Sequence, residues 1–151
     1  MSKAPSLADA VSTFGAAAKA KLANPAIKGA PEDQLRAPLE AFVKALATLG
    51  GVSADVHLVG EATLSHLALR PDYAVSLVGF IEVKAPGKGA DPRKFADPHD
   101  KKQWSKLKAL PNLLYTDGAS FSLWRNGELA GKIVDLDGDL HSAGAKLKAP
   151  T

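Results

Sequence analysis

Two short apolar segments, 73–76 and 79–85, are separated by only two residues. Such close spacing leaves room only for a tight connection, and it therefore predicts an antiparallel β-hairpin. Side chains alternate between the two faces of a strand. Glu82 and Lys84 are thus expected on one face of the second strand, with its apolar residues on the other. A fold for this chain must therefore contain a sheet that carries a carboxylate and an amine side by side.

A second carboxylate, Asp72, stands at the start of the first strand, directly after Pro71. If the two strands pair, Asp72 approaches Glu82, and a hard divalent cation fits between them. Magnesium favours one or two carboxylates, with waters and a substrate phosphate completing its octahedron. A lysine beside such a site can orient or deprotonate the attacking water and offset charge on the phosphate. This combination of residues predicts phosphodiester cleavage.

Each half of this pattern also has an ordinary interpretation. An aspartate after a proline commonly starts a turn, and a Glu-x-Lys pair commonly faces solvent on a half-buried strand. Short patterns of this kind recur by chance. Their order and their placement on paired apolar strands favour the functional interpretation.

Pro71-Asp72 and Glu82-Val83-Lys84 together resemble the signature of the PD-(D/E)xK nuclease superfamily. The flanking residues 70–75 and 79–86 are similar to nuclease domains of bacterial restriction-modification enzymes that carry methyltransferase or translocase modules on one long chain. The resemblance implies an Mg²⁺-dependent DNA endonuclease that is tethered to such modules in a longer parent chain. It implies that Asp72, Glu82, the backbone carbonyl of Val83 and water hold the metal, while Lys84 orients the nucleophilic water.

Two further side chains match positions that superfamily members often use. Glu40 lies at the border of the apolar stripe of a predicted helix, where relatives place an acidic residue facing the metal. An exposed helix glutamate is an equally good interpretation of Glu40. Gln103 resembles the glutamine that many relatives place after the Glu-x-Lys strand. Those relatives often have a tyrosine four residues later, where this chain has Leu107.

The order of predicted elements indicates an α/β domain, with a central mixed β-sheet flanked by helices and a restriction-endonuclease-like arrangement. Helical spacing and breaker residues predict helices at 5–22 and 31–49, and Asp100 is expected to cap a third helix that runs to about Leu110. Besides the hairpin, predicted strands lie at 54–59, 112–116, 121–124 and 132–135, with a less clear element at 64–69.

Basic charge is concentrated after the proposed site. Residues 84–108 carry a net charge of +5, whereas the whole chain carries +3. Such a segment suits the phosphate backbone of double-stranded DNA, although a solvated lysine-rich surface has the same composition. The predicted DNA-binding residues within it are Lys88, Arg93, Lys94, Lys101 and Lys102.

Composition limits the other possibilities. The chain has no cysteine, which excludes disulfides and thiolate chemistry, and its N-terminus lacks the apolar core of a signal peptide. No run of residues is apolar and long enough to span a bilayer, so we expect a cytoplasmic protein without membrane contact. Residues 1–140 are predicted to form the nuclease domain, and residues 141–151 have little to bury and are typical of a tail or linker.

Two alternatives from other functional classes remain open. One is a non-catalytic DNA-binding module that keeps the fold and the basic segment without a metal. The other is an interaction domain that docks a partner subunit through the loop after residue 86 and through Trp104. An isolated tryptophan such as Trp104 is more often a core or interface residue than a platform for stacked bases.

Overall fold

A computed structural model describes residues 6–24, 31–51, 58–60, 73–75, 79–138, 140 and 147–148; at 58–60 and 73–75 it describes the backbone. Asp72 and the uncertain element at 64–69 lie outside the described residues. Among the described helices, none combines the length and the apolar character needed to cross a bilayer.

The helices begin and end at identifiable signals. In order, they are α1 (Leu7–Ala23), α2 (Pro31–Gln34), α3 (Arg36–Leu49), a 3₁₀ helix (Pro92–Lys94) and α4 (Pro98–Leu107). A capping box starts α1, because the Ser6 hydroxyl accepts from the Asp9 N–H at 3.2 Å and the Asp9 carboxylate accepts from the Ser6 N–H at 3.0 Å. The helix predicted at 5–22 is therefore confirmed.

The helix predicted at 31–49 is divided into α2 and α3 at Leu35. Pro38 explains the division, because it has no N–H to donate to the carbonyl of Gln34 four residues earlier. Leu35 itself is buried and packs in the core. The interruption therefore leaves the apolar stripe of this region in place.

Seven strands form one mixed sheet within the described residues. They are β1 (Leu58–Gly60), β2 (Tyr73–Val75), β3 (Gly79–Val83), β4 (Leu113–Thr116), β5 (Ser120–Arg125), β6 (Glu128–Leu129) and β7 (Val134–Asp135). They follow one another in the order β1 to β6, with β7 also paired to β5. Only β3 and β4 run parallel, and the segment that connects them contains α4. The predicted hairpin is confirmed as the antiparallel pair β2–β3.

Close backbone approach explains the glycine at the start of β3. The N–H of Phe80 donates to the carbonyl of Asn112 at 2.9 Å. A Cβ atom at Gly79 would lie 2.3 Å from the same carbonyl oxygen, which no side chain can tolerate. Glycine therefore lets β3 enter the sheet beside the residue that precedes β4.

Two apolar layers enclose the sheet. On one face, α1 and α3 pack against Ile81 and Val83. On the other face, α4 and the preceding loop pack against Leu113, Tyr115 and Trp124. Phe80 is partly buried against the same cluster. The α/β class, with a central mixed sheet flanked by helices, is thereby confirmed. The alternation also directs Glu82 and Lys84 toward α4.

Several predicted boundaries need correction. The strand predicted at 132–135 is limited to Val134–Asp135. The strand predicted at 54–59 is described at Leu58–Gly60, one residue beyond its predicted end, and residues 54–57 lie outside the described residues. The prediction that Asp100 caps the third helix is wrong. Asp97 holds that place, since its carboxylate accepts from the N–H groups of His99 at 2.8 Å and Asp100 at 3.2 Å.

Part of the predicted C-terminal tail belongs to the packed fold. Leu147 is 1% exposed and lies in the same apolar cluster as α1, where a Cβ at Gly15 would meet its side chain at 2.7 Å. Lys148 exchanges backbone hydrogen bonds with Asp137 at 2.8 and 3.0 Å. The expectation of little to bury after residue 140 therefore fails at Leu147, and the domain boundary itself stays a prediction.

Candidate active site

Glu82 on β3 and Lys84 directly after it lie at the C-terminal end of this strand, which pairs with β2 and β4 in the interior of the sheet. Both residues are buried, with Glu82 3% and Lys84 7% exposed over the whole residue. Ordered backbone continues past the strand, because the N–H of Lys84 donates to the carbonyl of Thr116 at 2.8 Å. A buried carboxylate and a buried ammonium are costly unless their charges are compensated. The neighbouring α4 supplies the polar groups that do this.

Gln103 on α4 joins the side chains of Glu82 and Lys84. Its amide nitrogen donates to Oε2 of Glu82 at 3.0 Å, and its amide oxygen accepts from Nζ of Lys84. The same Nζ lies 3.8 Å from Oε2 of Glu82. The structure thus brings together three of the sequence-predicted residues, and Gln103 fixes the separation between the carboxylate and the ammonium.

Asp100, which sequence analysis assigned only to a helix cap, is part of the same cluster. It is 4% exposed, and its Oδ1 accepts from Nζ of Lys84 at 3.0 Å. Its Oδ2 accepts from Nζ of Lys88. Burial raises the pKa of the Asp100 carboxyl, but its bonds to Lys88 and Lys84 outweigh this and hold the pKa below the ordinary value. The bond to Asp100 in turn raises the pKa of Lys88.

One sequence signal points to Asp100. It stands three residues before Gln103, so both side chains project from the same face of α4 toward β3. The three-residue spacing identifies Asp100 only if the helix starts at Asp97. In the cap position, the Asp100 side chain would instead turn toward the first N–H groups of the helix. The wrong cap assignment therefore concealed a residue of the site.

These groups line a polar cleft of about 390 Å³. The start of the α2–α3 region also lines this cleft, with Glu32, Asp33 and Arg36. Glu40 is placed elsewhere: it lies further along α3, half-exposed, with its Oε1 3.4 Å from Nζ of Lys44. The acidic side chains that α2 presents to the cleft are thus Glu32 and Asp33, which sequence analysis did not select.

The proposed metal ligands are described in part. Asp72 lies outside the described residues, and no group of three or more histidine, aspartate and glutamate side chains among the described ones is arranged to hold a metal. The donor chemistry nevertheless suits magnesium, because Glu82 brings a carboxylate into a polar cleft that Val83 also lines. Metal binding by Glu82 and by the Val83 carbonyl stays a prediction.

A buried aspartate holds the loop that follows β3. Asp117, 3% exposed, accepts through Oδ2 from the N–H groups of Gly87 at 3.2 Å and Gly89 at 2.8 Å. Through Oδ1 it accepts from Ala119 at 3.0 Å and Ser120 at 2.8 Å. One carboxylate therefore ties the loop that carries Lys88 to the turn between β4 and β5.

The predicted DNA-binding residues have different surroundings. Lys94, Lys101 and Lys102 are exposed. Lys88 is held by Asp100, although 42% of its side chain is accessible to solvent. Arg93 forms a bidentate ion pair with Asp91 at 2.8 and 2.9 Å, and its guanidinium lies 5.0 Å from the centroid of the Trp124 ring. The contribution of these five residues to DNA binding stays a prediction.

Trp104 belongs to the packing beneath α4. Its ring makes edge contacts with Tyr115 at a centroid distance of 5.8 Å and with Trp124 at 4.9 Å. It is partly buried against the second apolar layer. Its contacts are those of a core residue, which is the more frequent role for an isolated tryptophan.

No protein-family model matches this chain, and no match was found among curated proteins. Among solved structures, the fold matches a chain in the cryo-EM structure of the DrdV–DNA complex, with a TM-score of 0.63 and 21% sequence identity. The match covers 87% of this chain and 12% of the other. At this identity the comparison establishes a shared fold.

Proposed function

We propose that this chain is an Mg²⁺-dependent DNA endonuclease of the PD-(D/E)xK type. The observation that carries the proposal is the hydrogen-bonded cluster of Glu82, Gln103 and Lys84 in a polar cleft at the end of β3. An ion pair that only stabilises the fold would not need to line a cleft, and a Glu-x-Lys pair that only faces solvent would not be buried. A buried carboxylate held 3.8 Å from a buried ammonium matches what hydrolysis of a phosphodiester requires.

In this proposal Glu82 and the carbonyl of Val83 hold Mg²⁺ together with Asp72. Support for Asp72 comes from the described register, in which Tyr73 pairs with Ile81. Asp72 precedes Tyr73 in the sequence, and Glu82 follows Ile81. When bound, Mg²⁺ supplies charge neutralisation on the phosphate and acidifies the attacking water.

The role proposed for Lys84 is to orient the attacking water and to stabilise negative charge on the phosphate. In hydrolysis the water oxygen bonds to phosphorus and releases a proton to solvent, one bond from phosphorus to a deoxyribose oxygen breaks, and the leaving oxygen takes up a proton from solvent. The products are a phosphomonoester and an alcohol. Asp100 and Gln103 accept from two of the three ammonium N–H groups and thereby fix its position, which leaves the third for the attacking water or the phosphate.

Double-stranded DNA is the proposed substrate. The exposed lysines at 94, 101 and 102 flank the cleft in sequence and belong to the segment of highest positive charge. The fold is shared with a chain from a complex that contains DNA. Since the match covers 12% of that chain, we also propose that this domain acts as the nuclease module of a larger restriction-modification enzyme with methyltransferase or translocase domains.

Plasmid cleavage tests the proposal. Supercoiled DNA is incubated with the protein and Mg²⁺, beside an EDTA control and the Lys84→Ala variant. The expected result is nicked or linear plasmid with the unmodified protein alone. Salt-dependent DNA binding without cleavage at any Mg²⁺ concentration would contradict the nuclease proposal and favour a non-catalytic DNA-binding module.

A further inference from the structure

We infer that Asp100 is a positioning residue: it holds the Lys84 ammonium away from the Glu82 carboxylate and so keeps that carboxylate accessible to a divalent cation. The inference rests on the proposed function, since it concerns the same cleft. It assigns a task to a buried side chain that carries no part of the proposed chemistry itself.

Two distances and the hydrogen bonds of Gln103 carry the inference. Nζ of Lys84 lies 3.0 Å from Oδ1 of Asp100 but 3.8 Å from Oε2 of Glu82. The ammonium is therefore bonded to the carboxylate on α4 and stands back from the one on β3. Gln103 fills the intervening position, donating to Glu82 and accepting from Lys84.

Because Lys84 and Asp100 are both buried, the loss of Asp100 changes which group Lys84 contacts. The side chains of Lys84 and Asp100 are 9% and 5% exposed, so the ammonium cannot exchange Asp100 for bulk water at low cost. Without the Asp100 charge, Glu82 becomes the nearest carboxylate available to Lys84. A lysine side chain is flexible enough to close the remaining gap. The present Lys84–Glu82 ion pair at 3.8 Å would then shorten to hydrogen-bond distance and compete with the cation for the same oxygen atoms.

Lys88 adds a second positive charge to this cluster. It lies on the loop after β3 and binds the other carboxylate oxygen of Asp100. Loss of the Asp100 charge would remove the carboxylate that both ammonium groups contact, while Glu82 stays 3.8 Å from Lys84. The electrostatic pull of Lys84 toward Glu82 would increase accordingly.

Binding of Mn²⁺, a hard cation that accepts the same oxygen ligands, tests the inference without DNA or turnover. The EPR signal of free Mn²⁺ is followed during titration of the unmodified protein, Asp100→Asn, Lys84→Met and the double variant. Asp100→Asn should weaken Mn²⁺ binding by about tenfold, as is typical when a group that supports a ligand is lost. The double variant should bind within about twofold of Lys84→Met, because the competing ammonium is gone.

Rescue by Lys84→Met distinguishes positioning from general damage to the fold. A loss of affinity that persists in the double variant would overturn the inference, and so would unchanged affinity in Asp100→Asn. Asp135→Asn removes the same charge from an exposed position on β7 and should bind as the unmodified protein does. Asp100→Ser provides the same comparison if Asp100→Asn does not fold.

The inference and the proposed function fail in different ways. If the unmodified protein binds no Mn²⁺ and cuts no plasmid, the proposed function is wrong and Asp100 has no such task. If it binds and cuts, and Asp100→Asn does both equally well, only the role of Asp100 is wrong.

Discussion

Nζ of Lys84 and Oδ1 of Asp100 lie 3.0 Å apart, although the two residues are sixteen positions apart in the chain and belong to different layers of the fold. Breaking a buried pair of this kind is strongly destabilising, because the remaining charge is left without compensation. The pair therefore links the edge of β3 to α4 and fixes where the two elements meet. The position of Lys84, the proposed catalytic lysine, and the packing of α4 thus both depend on the ion pair between Lys84 and Asp100.

This pair makes the stability of the fold sensitive to acid. The folded-state pKa of Asp100 is below its ordinary value, so its charge stabilises the fold at pH values above about 4, and this stabilisation is lost as the pH falls through the folded-state pKa. We expect Asp100→Asn to have a lower melting temperature than the unmodified protein at pH 7. The difference should stay constant down to about pH 5 and narrow below about pH 4.

Differential scanning calorimetry of both proteins between pH 7 and pH 3 measures that difference directly. The comparison is needed because Asp9 and Asp91 also have lowered pKa values, and their loss of charge affects both proteins equally. Melting temperatures that fall in parallel over the whole range would contradict the assignment of acid sensitivity to Asp100.

Glu82→Gln should abolish cleavage while the protein stays folded. Glutamine keeps the shape of the side chain and an oxygen that can accept from Gln103, but it lacks the charge that attracts Mg²⁺. Plasmid nicking in Mg²⁺ and far-UV circular dichroism together measure the two properties. Glu128→Gln, at an exposed position on β6, is the matched control and should cut normally. Retained cleavage by Glu82→Gln would remove Glu82 from the mechanism.

Local periodicity was sufficient to predict the elements that carry Glu82 and Lys84. The β2–β3 hairpin follows from two apolar segments a few residues apart, and the burial of Ile81 and Val83 on one face follows from strand alternation. The approach of Gln103 to both residues was expected from a family resemblance and not from its own surroundings. Its hydrogen bonds depend on how α4 crosses the sheet, which no local pattern records.

Long-range contacts explain what sequence analysis missed. Asp97 and Asp100 are both ordinary cap residues, and only packing of α4 against β3 separates the cap from the residue that meets Lys84. Glu40 lies at the border of an apolar stripe but pairs with Lys44, whereas α2 directs Glu32 to the cleft. Helical spacing identifies a buried face, but it does not say which end of that face reaches a distant strand.

Asp117 offers a test of how the loop after β3 is held. Asparagine at this position keeps one oxygen, which should continue to accept from Ala119 and Ser120 within the turn. Its amide nitrogen would then face the N–H groups of Gly87 and Gly89, which lose their acceptor. A buried donor left unsatisfied costs about 1–3 kcal/mol, but Gly87 is exposed and Gly89 half-buried, so water replaces part of the lost bonding. We therefore expect Asp117→Asn to reduce the free energy of unfolding by about 1–3 kcal/mol.

Urea unfolding measures that loss, and amide hydrogen exchange locates it. Exchange should accelerate at Gly87 and Gly89 more than at Ala119 and Ser120, because the loop is released while the turn is kept. Asp137→Asn, at an exposed position, serves as the control and should leave exchange in the loop unchanged. Equal acceleration throughout the chain would show that Asp117 supports the whole fold and not this loop in particular.

Exposed lysines on α4 should contribute to DNA affinity through phosphate contacts. Lys101 and Lys102 are both exposed, so each can meet a phosphate without first breaking a buried ion pair. If either lysine contacts a phosphate, its replacement by alanine should weaken binding and reduce the slope of log affinity against log salt by about 1. Fluorescence anisotropy with a labelled duplex measures both quantities, and a Glu82→Gln background prevents cutting. Lys132→Ala removes an equal charge from an exposed residue before β7 and is the matched control. If Lys101→Ala and Lys102→Ala match that control, DNA does not pass over α4, and the basic charge of this helix serves only to keep its outer face in water.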